Sequence, residues 1–201
     1  MGVLAEEFTD DMMRLLLVID AYTREGKEEN PVWVKELPLM AIIYQGIVKE
    51  VFRDYDYAPW SVPMLDGTRE WLNISREGKD DLEDLLNLRM ISILRVSTSQ
   101  YGFVTAYRLT ELGHDKIQSA TETIKQEVNT LILHTCGELY SVIMSGSDIS
   151  FRCDHCDFNE EIPIGDIEDI PYKTKSYLPS FNFGWFGNQK EDYYDRSEEG
   201  N

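Results

Sequence analysis

Apolar residues recur along the first part of the chain at helical spacing. Phe8, Met12, Leu15, Leu16 and Ile19 fall at three- and four-residue steps, so residues 6–24 predict an amphipathic helix. Thr9 ahead of Asp10 and Asp11 supplies an N-cap with acids in the first turn, and the polar run from Arg24 to Pro31 ends the helix. A second helix is expected over about residues 32–52, where Leu37, Met40, Ala41, Ile43, Tyr44, Ile47, Val48 and Val51 build a broad apolar face. Residues 54–67 hold Pro59, Pro63 and an Asp66-Gly67 turn and read as a loop.

Beyond Trp71 the period changes. Leu82, Leu85 and Leu86 mark a third helix, after which Met90 to Val96 is a β-branched run. The polar turn Ser97-Thr98-Ser99-Gln100 leads into a second strand-like run, Tyr101 to Leu109, so a helix is followed by a β-hairpin. Thr110-Glu111-Leu112-Gly113 then opens a further helix, with Ile117, Ala120, Ile124, Val128 and Leu131 on one stripe. From residue 115 to 132 the four- and three-residue steps make a short heptad seam, which could pack on the chain's own first helix or pair two copies into a homodimer. Core packing is the default, because fewer than three heptads rarely hold a dimer alone.

Helix, strand, turn, strand, then Tyr107-Arg108-Leu109-Thr110-Glu111-Leu112-Gly113, resembles a winged-helix domain, in which a Tyr-x-Leu-Thr-x-x-Gly phrase closes the wing and starts the next helix. The resemblance covers about sixty residues. A second resemblance follows it. Cys136, a strand-like run from Glu138 to Met144, a Ser-Gly-Ser-Asp turn, a run from Ile149 to Arg152 and the Cys153-Asp154-His155-Cys156 knuckle together look like a zinc ribbon, two metal-binding knuckles bridged by a hairpin. The first knuckle departs from the pattern: Leu133 stands where its other cysteine belongs, and His134 is the nearby substitute. The resemblance implies zinc held by His134, Cys136, Cys153 and Cys156, with a ribbon that keeps its hairpin and binds no metal as the alternative. His155, between the two thiols of its knuckle, is expected to point outward. Domain order resembles the archaeal transcription factor E family and its eukaryotic counterpart, where a winged helix precedes a zinc ribbon.

The fold class expected is therefore α+β: a winged helix with flanking helices over residues 1–133, a zinc-ribbon-like hairpin unit over 134–170, and an aromatic and acidic tail over 171–201. Charge decides how the winged helix is used. The chain of 201 residues carries 19 Lys and Arg against 37 Asp and Glu, a net −18. The excess is not confined to the tail, since residues 1–133 hold 14 bases and 23 acids. A DNA reader seats the helix before the wing in the major groove. Here that helix offers Lys79 with Asp80, Asp81, Glu83 and Asp84, and each acid near a phosphate is unfavourable by about 1 kcal/mol even in a water-like dielectric. Nucleic acid is thus disfavoured, and Asp80, Asp81 and Asp84 become candidates for contacting another protein; a DNA-binding transcription regulator is the alternative.

Phe181, Phe183, Trp185 and Phe186 stand among Pro179, Gly184 and Gly187, which interrupt any regular period. Aromatic residues dominate binding hot spots, so this run reads as a second partner-binding element, or as a segment that folds back on its own chain. No apolar run approaches the roughly 20 residues of a spanning helix. No catalytic pattern is present either: there is no Gly-rich phosphate loop, no Gly-x-Ser-x-Gly elbow and no His-Glu-x-x-His helix. The three cysteines cannot build a disulfide framework and point to a reducing compartment. The expectation is a soluble, intracellular, non-enzymatic adaptor or assembly subunit that binds another protein or protein complex.

Overall fold

The computed structural model describes residues 8–24, 30–63, 69–98, 102–145 and 148–162. Among these the chain is α+β, as expected, with helices interspersed among three small antiparallel sheets.

Helix α1 (Asp10–Thr23) begins where the pattern places it, with the Thr9 hydroxyl accepting from the Met12 amide at 3.0 Å. Leu15, Leu16, Val18 and Ile19 are fully buried, so this helix is surrounded by the core. The next expected helix is shorter than its apolar pattern. A two-residue strand, β1 (Val34–Lys35), comes first, and α2 runs only over Glu36–Val48, with Pro38 in the first turn where its missing N–H is harmless. Past Val48 the chain turns back: Glu50 is left-handed (φ 58°), and the amides of Val51 and Phe52 both donate to the Gly46 carbonyl. A Cβ on Gly46 would lie 2.4 Å from the Phe52 ring, so only glycine lets Phe52 close over the helix end. Val51 and Phe52 stay buried without being helical, which is why apolar spacing alone overran the boundary.

The segment expected to be a loop is half of a hairpin. Strand β2 (Ala58–Pro63) pairs with β3 (Arg69–Ile74) in the register Ala58–Ile74 to Pro63–Arg69. Two prolines argued against a strand, yet a two-stranded sheet has outward edges on both sides, where a missing donor breaks no ladder. Ser75 then caps α3 (Arg76–Asn87) by accepting from the Gly78 amide at 3.1 Å. The expected hairpin follows as β4 (Ile91–Thr98) and β5 (Gly102–Leu109), and β1 adds to the free side of β5, giving the order β1-β5-β4.

Thr110 closes this hairpin and opens α4 (Glu111–Ile117). Its hydroxyl accepts from the Gly113 amide at 3.2 Å and donates to the Arg89 carbonyl at 2.7 Å. A Cβ on Gly113 would sit 2.1 Å from the Met90 carbonyl oxygen, so the glycine is what allows this crossing. The single helix expected from 115 to 132 is broken. Thr121 caps a separate α5 (Glu122–Ile132), accepting from Ile124 at 3.3 Å. A threonine inside a continuous apolar pattern is here an N-cap. Ile117, Ile124, Val128 and Leu131 of that seam are buried in this chain's own core.

The last sheet is β6-β7-β8: β6 (Ser141–Ser145), β7 (Asp148–Cys153) and β8 (Phe158–Ile162). The third strand was not expected, because its sequence, Phe-Asn-Glu-Glu-Ile, is mostly polar. Tyr140, Ile149, Phe151 and Cys153 join the same buried cluster as α1 and α2, and the Tyr22 hydroxyl donates to the Tyr140 carbonyl at 2.8 Å.

One polar network ties distant segments together. Arg14 of α1, its side chain 5% exposed, bonds Asp11 one turn back at 2.7 Å and Glu127 of α5 at 2.7 Å. Arg53 reaches Glu127 from the turn after α2, and the Asp54 amide donates to Asp11 at 3.1 Å. Arg14 first, then Arg53, holds the Glu127 carboxyl below its ordinary 4.5. A folded value below the unfolded one means that the contribution is present above pH 4.5 and lost as pH falls through the folded value. Glu127→Gln is therefore expected to lower stability by about 2 kcal/mol at pH 7. The gap from the parent narrows steadily below pH 4.5 in urea titrations; a gap that is the same at pH 7 and 3.5 excludes the ionic origin.

Candidate metal centre

Two turns converge at one end of the β6-β7-β8 sheet. The first is closed by the His134 amide donating to the Glu138 carbonyl at 2.9 Å and the Gly137 amide to the His134 carbonyl at 2.8 Å. Gly137 is left-handed (φ 90°), the conformation glycine adopts most readily, and this swings Cys136 back toward the sheet. The second turn leaves the end of β7, where the Cys156 amide donates to the Cys153 carbonyl at 3.3 Å and Asp157 takes φ 52° before β8 begins. Asp154 braces this turn, accepting from the Ser141 hydroxyl at 3.1 Å and pairing with Arg152 at 3.0 Å.

The result brings together the four residues expected as ligands. One donor atom from each of His134, Cys136, Cys153 and Cys156 lies within 4.8 Å of the others. Cys136 Sγ is 3.6 Å from Cys153 Sγ and 3.2 Å from His134 Nδ1. A tetrahedral ion with metal–sulfur bonds of about 2.3 Å requires sulfurs about 3.8 Å apart, so the cluster has the size a single ion needs. His155 lies outside the cluster of four, although its Nδ1 is 3.5 Å from Cys156 Sγ.

Packing and charge explain the arrangement. Cys153 is wholly buried, and the His134 ring rests against Phe158 at 4.9 Å and Tyr140 at 5.8 Å, which fixes its plane. Phe158, from the strand the pattern did not reveal, thus positions a candidate ligand; an aromatic two residues past Cys156 was the available signal. The contact with His134, then the Glu138 amide, brings the Cys136 thiol down to about 6. Cys156 is pushed up to about 11 by its hydrogen bond with that sulfur, then by desolvation, and also because a second thiolate would face the first. A cation relieves this repulsion, and the donor set of three sulfurs and one imidazole suits a borderline-soft metal.

The acidic candidates fare differently. Asp80 is exposed and 3.4 Å from Arg76, and Asp84 is half-buried. Asp81 turns inward, accepting the Tyr55 hydroxyl at 2.6 Å. Burial, then neighbouring acids against the Tyr55 bond, raises its pKa. Spacing gave no sign of this bond, which joins residues 26 positions apart. Lys79 also turns inward, onto Glu36 at 3.0 Å. Phe181, Phe183, Trp185 and Phe186 lie outside the described residues.

In metal-free protein the sulfurs should react in a fixed order. Iodoacetamide is expected to modify Cys136 first at pH 7, with a rate that rises through about pH 6 and then levels. Cys156 should follow only as the pH approaches 11, and peptide mass mapping over a pH series reads both.

A family model described as the Uncharacterized protein MJ1567 family matches residues 11–161, and the chain belongs to that family. None of the curated proteins searched matches the chain.

Proposed function

We propose that this member of the MJ1567 family is a non-enzymatic protein-interaction adaptor, a winged helix with an acidic outer helix joined to a zinc-stapled ribbon. The observation that carries the adaptor reading is the charge on α3. It precedes the β4-β5 hairpin directly, the place a winged-helix reader uses on DNA. Its two bases are both engaged, Arg76 with Asp80 and Lys79 with Glu36, while Asp80 and Glu83 remain exposed. The addition of β1 to β5 beside that hairpin supports the winged-helix reading. A surface of this kind repels phosphate and attracts Lys and Arg on another polypeptide. Exposed Leu94 and Val96 on β4 add apolar area of the sort protein interfaces bury.

Zinc fits the ribbon because four protein ligands close a tetrahedron and leave no open position for substrate. In such a site His134, Cys136, Cys153 and Cys156 would hold the ion, which would serve to fix the two turns. Binding displaces thiol protons, so affinity falls on acidification.

Two measurements test this reading. Native mass spectrometry of protein purified without chelator should show one zinc per chain, absent from Cys136→Ser and Cys153→Ser; a parent mass without metal overturns the staple. Tagged full-length chain should retain a stable protein companion and give no mobility shift on duplex DNA at about 50 mM salt. The double variant Asp80→Lys with Asp84→Lys should lose that companion while melting at the parent temperature. A salt-sensitive shift on DNA would favour a nucleic-acid regulator instead.

A further inference from the structure

Arg108 is out of keeping with its surroundings. It projects from β5, the middle strand of its sheet, and is half-buried. Its guanidinium stacks over the Trp33 ring at 5.4 Å, and among the described residues it makes no ion pair. Exposed Lys35, Lys49 and Arg89 can be satisfied by water. A partly desolvated guanidinium in a chain with 37 acids ordinarily finds a carboxylate.

What Arg108 lines is a cleft of about 320 Å³ between α1, the segment before β1, β5 and α4. Arg24, His114 and Gln118 also line it, and Asp20 is the one acid among the described residues that do. Asp20 is already committed. Its side chain is 4% exposed, Oδ2 accepts from Arg24 Nε at 3.1 Å and from Nη2, and Oδ1 lies 3.3 Å from His114 Nδ1. The carboxylate therefore cancels Arg24 and orients the imidazole, and among the described residues none compensates the charge of Arg108. Val32, 41% exposed, and Pro31 supply an apolar wall. None of the lining residues belongs to α3 or to the metal cluster.

We infer that this cleft is a binding site for the oxyanion of a small organic molecule, a carboxylate or a phosphate, held by the guanidinium of Arg108 with His114 and Gln118 beside it and the ligand's carbon body against Val32 and Pro31. Guanidinium groups bind both oxyanions through paired N–H donors, and a cleft of this volume is of the size that small ligands occupy. The site stands on observations independent of the adaptor reading.

Full-length ¹⁵N-labelled chain titrated with inorganic phosphate, and separately with succinate, at ionic strength fixed by sodium chloride tests the inference. Saturable shifts are expected at the amides of Thr23, His114 and Gln118 for at least one anion. Affinity should fall at least tenfold in Arg108→Gln and in His114→Ala, whose parent side chain is 49% exposed and removable without disturbing the core. Lys125→Gln, a change in an exposed pair on α5, should leave it unaltered. Saturation by phosphate alone identifies a phosphorylated ligand, and saturation by succinate alone a carboxylic acid. Shifts that stay linear for both anions, or an unchanged affinity in a folded Arg108→Gln, overturn the site.

Discussion

Arg14 is a full positive charge inside the protein, and the arrangement of the helices follows from the need to satisfy it. A guanidinium 5% exposed is tolerable only if acceptors surround it, and two carboxylates do so from different directions. Asp11 comes from the same helix and is present whenever α1 forms. Glu127 comes from α5, so α5 must lie alongside α1 for the charge to be neutralised. Because Glu127 also takes Arg53, and Asp11 also takes the Asp54 amide, the turn after α2 is fixed by the same two carboxylates. The apolar contacts of Leu15, Ile19, Val128 and Leu131 provide the larger share of burial, but they are non-directional. The ionic network selects one register among the packings those residues would allow.

The β6-β7-β8 sheet obeys a different constraint. It shares the core through Tyr140, Ile149 and Phe151, yet the end bearing His134 and Cys136 is partly or fully exposed. Two tight turns, each with a left-handed residue, hold four donors within one ion's reach. Without a cation, the arrangement places the Cys136 thiolate next to Cys156, whose thiol resists ionising; with one, the same closeness becomes favourable. The β4-β5 hairpin asks nothing comparable of a ligand, since it is fixed by Thr110 and by the close approach at Gly113.

Much of this was legible in the sequence where the signal is local. Thr9 and Thr110 are caps recognisable from the residues that follow them, and the α3-β4-β5 order shows in the change of hydrophobic period. The cluster of four donors was readable because cysteine spacing is a short-range code, even with a histidine in place of a thiol. What escaped depends on contacts between residues distant in sequence. The Gly46–Phe52 closure ends α2 while its apolar pattern continues, and Thr121 begins a new helix inside a pattern that looks continuous. The β2-β3 hairpin was hidden by prolines that matter only if another strand lies beside them. Strand β8 was hidden by a polar sequence whose one aromatic packs on a candidate ligand.

The distribution of positive charge joins these observations. Among the described residues, Arg14, Arg24, Arg53, Arg76, Lys79, Lys125 and Arg152 each meet a carboxylate. Those pairs consume cations that would otherwise soften the acidic exterior, so the outer face of α3 presents carboxylates with Lys79 turned inward and Arg76 held by Asp80. The field around the chain is negative, and a diffusing anion is repelled at long range. Salt screens that repulsion beyond about 8 Å at physiological ionic strength, whereas a half-buried guanidinium acts at contact, in a medium of lower dielectric. The same composition can therefore repel a polyanion that must lie along a surface and still admit a small anion that enters a cleft.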